Sequence, residues 1–261
     1  MASIVKRSTL KVWLDVIFAI FLREIKGTFN DKFGISWALI SPMIMIVVIV
    51  GMRAGLDGGN THGMPTVFFA LFGVLLVQFF LGVLSNTAGA IQKNKPLYAF
   101  RQVQPISSVL ALAGFELMVK VALVLLLIVI GFFMQIEANI HDPLSIIFIV
   151  LKVWIIAASI GLLFGLARCY VPEVSKVQAL ITRPLFFISG IFFSLQDIPK
   201  EYWPFLNWNP LLHAVELTRY AAFPSYGNAG VSMLYLDLAT LVSLFFALAC
   251  YHISWKRAIS R

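Results

Sequence analysis

Charge is scarce in this sequence. Asp, Glu, Lys and Arg make up 12% of its 261 residues, against roughly 25% in a soluble domain. Hydrophobic residues make up 60%, and mean hydropathy is +0.91. That balance excludes a soluble globular chain and points to an integral membrane protein. Motifs for nucleotide and hydrolytic chemistry are missing too. No G-x-x-x-x-G-K-[ST] is present, so the chain has no P-loop to cradle a nucleotide. There is no H-E-x-x-H, no cysteine pair at zinc spacing and no G-x-S-x-G. Cys169 and Cys250 are isolated thiols of the packing kind, and His62, His141, His213 and His252 are scattered. An internal active site, a metal and a cofactor are therefore not expected. Neither is a cleaved signal peptide, because the apolar run 12–22 contains Asp15 and lacks a small-x-small cleavage site. No internal repeat or low-complexity segment is visible.

What is present is a series of long apolar runs with short polar turns between them. We read an all-α integral membrane protein with six transmembrane helices, at 34–52, 66–90, 106–133, 143–167, 177–195 and 236–255. Pro42 falls in the first, and Arg183-Pro184 interrupts the fifth. Gln78, Ser85 and Asn86 in the second are expected to hydrogen-bond between helices. Ala157, Gly161 and Gly165 in the fourth have the small-xxx-small spacing that lets helices approach closely. Residues 8–28 are too charged to span yet rich in large apolar groups. An amphipathic helix on the cytoplasmic interface fits them, with Lys11, Asp15, Arg23 and Lys26 toward water or a partner.

The net charge of +8 would suggest nucleic acid in a soluble chain. Its distribution gives a different reading. On the six-span topology, fourteen of the 20 Lys and Arg lie on the side of the termini, and only Arg53, Lys200 and Arg219 lie in the opposite loops. The positive-inside rule then puts both termini in the cytoplasm. The basic excess reports topology, and no nucleic-acid partner is expected.

Residues 197–224, between the last two spans, are too polar and too broken by proline to cross a bilayer. Asn209 is a good N-cap, Pro210 suits the first helical position, and Pro224 ends the run. A helix over 210–223 would be ~20 Å long, short of the ~30 Å hydrocarbon core. His213, Glu216, Arg219 and Tyr220 recur three or four apart and form one polar stripe. Tyr202, Trp203 and Trp208 precede it, rings with polar tips that favour a membrane–water interface. We read a periplasmic re-entrant segment beside a passage, where flat rings and planar hydrogen-bonding groups suit a sliding sugar chain. The plainer alternative is an aromatic belt that anchors the outer surface. Glu116, Lys120, Lys152 and Arg183 fall inside apolar runs, where ionisable groups usually face a water-filled path. Glu116 and Lys120, four apart, could instead neutralise each other, and the lysines could snorkel.

Phe21-Leu22-Arg23-Glu24-Ile25-Lys26 and Gly34-Ile35-Ser36-Trp37-Ala38-Leu39-Ile40-Ser41-Pro42 resemble the opening of ABC-2 exporter permeases for polysaccharides. Pro184 to Gly190, Ile198 to Trp203 and Trp208 to Arg219 are similar to the capsular polysaccharide exporter permeases of Gram-negative bacteria, the KpsM type. The likeness covers nearly the whole chain. It implies a homodimer in the inner membrane, bound to a separate ATP-binding subunit that holds ATP and Mg. It also implies a lipid-linked polysaccharide as cargo, with periplasmic and outer-membrane export components. The helix carrying Arg23, Glu24 and Lys26, with the turn carrying Lys93, Lys95 and Arg101, would contact the ATPase. The region from Asp197 through Tyr202, Trp203, Trp208, His213 and Glu216 to Arg219 would line or gate the exit. No catalytic residue is implied. O-antigen and teichoic acid permeases share the opening motif, so another lipid-linked glycan is an alternative cargo. Rival readings are a proton-coupled transporter centred on Glu116, a transferase using His213 and Glu216 as acid and base, and a structural anchor.

Overall fold

The computed structural model describes residues 8–29, 32–57, 59–100, 102–136 and 139–260. Eight α-helices follow one another: α1 (Thr9–Phe29), α2 (Lys32–Asp57), α3 (Thr66–Lys93), α4 (Pro105–Phe133), α5 (Pro143–Tyr170), α6 (Val174–Ile188), α7 (Pro210–Ala222) and α8 (Met233–Ser260). A two-residue hairpin, β1 (Asn60–Thr61) with β2 (Met64–Pro65), separates α2 from α3. Its turn residues His62 and Gly63 both have positive φ, 50° and 79°, which matches the twist of the flanking strands. Among the described residues, α3, α4, α5 and α8 are long and apolar enough to cross a membrane. The apolar stretch described in α2, Ile40–Arg53, is shorter. Helix α2 continues through Pro42.

α3 is the central helix, packed between α2, α4, α5 and α7. The small-xxx-small run of α5 lies against it. A Cβ at Gly161 would overlap the Thr87 hydroxyl and come within 2.9 Å of the Leu84 carbonyl oxygen; one at Gly165 would lie 3.3 Å from that of Ala88. Glycine is what allows the two backbones to approach. The opposite faces of the outer helices stay uncovered by protein: Val121, Leu125 and Phe132 on α4, and Leu241, Val242 and Phe245 on α8, are exposed.

The sixth helix departs from the expected span at 177–195. It has 15 residues, Val174–Ile188, and contains Pro184. Fifteen residues reach ~22 Å at 1.5 Å each. The chain leaves helical form at Gly190, whose φ of 78° is left-handed. Short 3₁₀ turns at Leu195–Asp197 and Lys200–Phe205 lead to α7.

α7 begins as its sequence signals require. The Asn209 side chain accepts the Leu211 N–H at 3.0 Å, and Pro210 is the first helical residue. At its far end, the carbonyls of Ala221 and Ala222 accept from Asp142 and His141 at the start of α5, at 2.9 and 3.0 Å. Asn209 also donates to Ser189 Oγ at 3.0 Å, and Tyr235 of α8 donates to the Trp208 carbonyl at 2.6 Å. α7 therefore ties together the end of α6 and the starts of α5 and α8. Helix α1 lies at the other end of the bundle, where Ile20 packs in one cluster with Ala90, Leu112, Leu166 and Ala258.

Candidate functional site

Arg219 is the centre of the α7 end. Its side chain is fully buried, 0% exposed, and Glu216 beside it is 2% exposed. Nη1 donates to Glu216 Oε1 at 2.9 Å, and Nη2 donates to the carbonyls of Gly190 and Phe69 at 2.8 and 3.1 Å. The guanidinium carbon lies 3.5 Å from the Phe69 ring centroid. Gly73 leaves the room: a Cβ there would stand 2.8 Å from Nη2. The hydroxyls of Tyr226 and Ser194, 2.7 Å apart, approach Glu216 at 3.0 and 3.2 Å. Burial pushes the Tyr226 phenol well above its ordinary pKa, so it remains a protonated donor. Two charges removed from water persist only when their lone pairs and protons find partners.

A second ionic group extends this cluster outward. Asp197 accepts from Arg53 at 2.5 Å and from the Ser194 N–H at 2.8 Å, and it meets His62 Nε2 at 2.7 Å. Arg53 also donates to the Phe192 carbonyl at 3.1 Å and lies 4.5 Å from the Phe69 centroid. Burial pushes the Asp197 carboxyl up, but the Ser194 N–H, Arg53 and His62 outweigh it and hold it below the usual carboxylate range. The end of α2, the start of α3 and the segment before α7 are thus joined through Arg53, Phe69 and Asp197.

The polar stripe of α7 therefore faces the protein interior. His213, Glu216 and Arg219 are buried, and only Tyr220 is exposed. Helical spacing shows that these side chains share a face; burial shows that this face is the packed one. His213 Nδ1 accepts the Ser232 N–H at 3.0 Å, so Nε2 carries the proton and donates to the Asn207 carbonyl at 2.9 Å. Burial lowers its pKa against the pull of those two hydrogen bonds. With both ring nitrogens occupied and Glu216 bound to Arg219, the pair has no free acid and base to offer a substrate. Of the expected rings, Tyr202 and Trp208 are exposed, together with Phe205. Trp203 is half-buried against Gly230, where a Cβ would come within 2.5 Å of its ring, and its indole donates to the Ile198 carbonyl at 2.9 Å.

Of the charges within the apolar runs, Glu116 and Arg183 both approach Gly82 of α3, and Lys152 lies apart from them. Glu116 on α4 accepts a hydrogen bond from Asn86 on α3, an interhelical contact of the kind Asn86 was expected to make. Its carboxylate occupies the space over Gly82, 2.9 Å from where a Cβ would be. Among the described residues, no ion pair joins Glu116 to Lys120. Lys152 on α5 pairs with Asp237 on α8 at 2.5 Å. Arg183 on α6 is exposed and borders a cavity of about 580 Å³ between α3 and α6, with Ser85, Gln178, Thr182, Phe186 and Phe187.

At the opposite end, α1 meets the turn after α3. Glu24 is buried and pairs with Lys93 at 2.5 Å, while Arg23 donates to the Asn94 side chain and lies 3.6 Å from Glu24. Asn94 in turn donates to the Ala90 carbonyl at 2.8 Å, so the α3 C-terminus is closed by the same group that holds α1. The Tyr98 hydroxyl, 3.0 Å from Ser108, has its pKa pushed by burial up to about 12. Lys26 and Lys95 are exposed around this corner. Arg101 lies outside the described residues.

Several members of these clusters carry no local signal. Arg53, His62, Phe69, Ser194 and Tyr226 come together from segments far apart in sequence, and Asp237 stands alone at the start of its apolar run. Among the described residues, no three His, Cys, Asp or Glu gather to hold a metal.

The profile of the ABC-2 type transporter family matches residues 15–223. The chain is 36% identical over 246 residues to the polysialic acid transport protein KpsM of Escherichia coli, covering 94% of this chain and 95% of the relative. It is 25% identical to the capsule polysaccharide export inner-membrane protein CtrC of Neisseria meningitidis serogroup B, covering 92% and 91%. Its identity to the capsule polysaccharide export inner-membrane protein BexB of Haemophilus influenzae is 23%, covering 83% and 82%.

Proposed function

The chain belongs to the ABC-2 type transporter family, and from that premise we propose that it is the transmembrane permease subunit of an exporter for lipid-linked capsular polysaccharide. The observation that carries this reading is the 36% identity to a polysialic acid transport protein over 94% of the chain. The likeness to capsule export inner-membrane proteins supports the inner membrane as its location. In this reading α2 and α6 complete six spans with α3, α4, α5 and α8. The segment 197–224 is a re-entrant periplasmic cap, and both termini are cytoplasmic.

ATP is hydrolysed by a separate subunit, since the sequence has no P-loop. The corner built from Arg23, Glu24, Lys93 and Asn94 receives that subunit, with Lys26, Lys95 and Arg101 around it. Glu24 binds α1 to α3, so a push on α1 reaches the helix that α2, α4, α5 and α7 pack against. Two copies of the chain enclose the path. Glu116, Lys120 and Arg183 border it on one side of each protomer, and Tyr202 and Trp208 are presented at its outer mouth. His213, Glu216, Arg219 and Asp197 hold the cap in shape from within, and Lys152 joins α5 to α8.

The test is ATP hydrolysis and glycan transport in proteoliposomes, with this chain alone and with the ATP-binding subunit encoded beside it. No hydrolysis by the chain alone, a stable complex with the neighbour and ATP-dependent movement of lipid-linked glycan are expected. Transport that persists on a proton gradient without any ATPase would overturn the reading.

A further inference from the structure

We infer that the cavity between α3 and α6 is an oxyanion-binding subsite of the export path, with Arg183 as its specificity-determining residue. This deepens the exporter reading and rests on it.

Among the described residues, Arg183 differs from the arginines held inside the protein. Arg53, Lys152, Arg168 and Arg219 each hold a partner: Asp197, Asp237, Gln178 and Glu216. Arg183, ten residues into α6 and ~14 Å from its start at 1.5 Å per residue, makes no hydrogen bond or ion pair among the described residues. Within a membrane, a guanidinium needs water or an anion, and residues of this kind mark the path of a substrate. The cavity it borders, about 580 Å³, has room for sugar units, and its wall is mixed in chemistry. Ser85 and Thr182 bring hydroxyls. Gln178 uses its carbonyl oxygen on Arg168 at 2.6 Å, which leaves its amide N–H groups as donors. Phe186 and Phe187 add two rings packed edge to face, their centroids 5.4 Å apart. Glu116 approaches the same wall across Gly82, but its carboxylate is engaged by Asn86. The Glu116 charge is offset by the attraction of Lys120, four residues on, so the charge left over at this cavity is that of Arg183, and a guanidinium fork fits a carboxylate or a phosphate with two parallel hydrogen bonds.

Two oxyanions could arrive there: the carboxylate of an acidic sugar or the phosphate that joins glycan to lipid. Binding to the permease–ATPase complex in nanodiscs separates them with three probes. These are an oligomer of α-linked sialic acid, the same oligomer with its carboxylates reduced to alcohols, and lysophosphatidylglycerol. Arg183→Gln and Arg183→Ala are expected to weaken the acidic oligomer about tenfold or more while leaving the reduced oligomer unchanged, with Arg183→Lys in between. A loss confined to lysophosphatidylglycerol would support the subsite and assign it to the lipid-link phosphate. Equal binding of all three probes to wild type and Arg183→Gln would overturn the subsite. ATPase association and ATP hydrolysis by the wild-type complex report separately on the exporter reading, because neither measurement involves the Arg183 variants.

Discussion

Arg219 at one end of the bundle and Glu24 at the other are both buried charges bound to opposite charges, yet their surroundings differ. Arg219 is enclosed on every side, and its partner Glu216 is as dry as itself. Glu24 has a side chain 9% exposed, but its partners Lys93 and Arg23 are 57% and 45% exposed. The first pair cannot exchange partners without opening the protein core. The second can, because water reaches its cations directly. The same pairing of charges thus gives a fixed clasp in one place and an accessible, exchangeable corner in the other.

The largest expected effect breaks the clasp. Arg219→Ala leaves Glu216 buried without its cation, and losing one partner of such a pair costs about 3–5 kcal/mol. A fall in the thermal midpoint of the purified protein, or loss of folded protein from the membrane fraction, would show it. Replacing both, as Arg219→Met with Glu216→Leu, should recover much of that loss, since apolar substitution of a whole buried pair is often neutral. If Arg219→Ala unfolds at the wild-type temperature, the clasp assignment is wrong.

The tightly packed pair α3 and α5 runs between the two ends, so the second prediction targets that joint. Gly161→Leu would drive a side chain into Thr87 and the Leu84 carbonyl. Overpacking of this kind costs about 1–3 kcal/mol. Hydrogen exchange should then quicken at both the α7 end and the α1 corner. A change limited to residues around Gly161 would mean the ends are independent.

The close approach at Gly161 was legible in sequence because small-xxx-small spacing is local. So was α7, whose N-cap, first-position proline and terminating proline lie within sixteen residues, Asn209 to Pro224. The length of α6 was not, since it ends at Ile188, just before Gly190, whose φ is left-handed and where a Cβ would stand 2.8 Å from Leu212 of the distant α7. The direction of the polar stripe was hidden for a related reason: periodicity groups His213, Glu216 and Arg219 but does not say which side of the helix is covered. Arg53 and Asp197 are 144 positions apart, and only the folded chain brings them together.

A third prediction sharpens the contrast from the other end. Glu24→Gln keeps the size of the side chain and removes its charge beside two partly exposed cations, whose pairing energy is about 0–1 kcal/mol. The thermal midpoint should barely move. Export and ATPase co-purification should fall about tenfold, equivalent to about 1.4 kcal/mol of coupling. A variant that loses stability as heavily as Arg219→Ala would show that the corner is a second clasp.

The smallest effect lies between these extremes, at Asp197, which is half-exposed but has three donors. Its native pKa is depressed, so the stability it contributes is present above the ordinary carboxylate value, about 3.9, and is lost as pH falls through the lower native one. Asp197→Asn should therefore unfold at a slightly lower temperature than wild type at about pH 6, and the difference should close as the buffer is taken below the range where free carboxylates titrate. His62 and Arg53 face this carboxylate from the hairpin and from α2, so His62→Gln and Arg53→Gln should each raise the pH at which the gap closes. A gap that persists unchanged into acid would mean that the side chain acts by shape and hydrogen bonding alone. Asp197 would then belong with the structural contacts of the clasp rather than with the exchangeable charges of the corner.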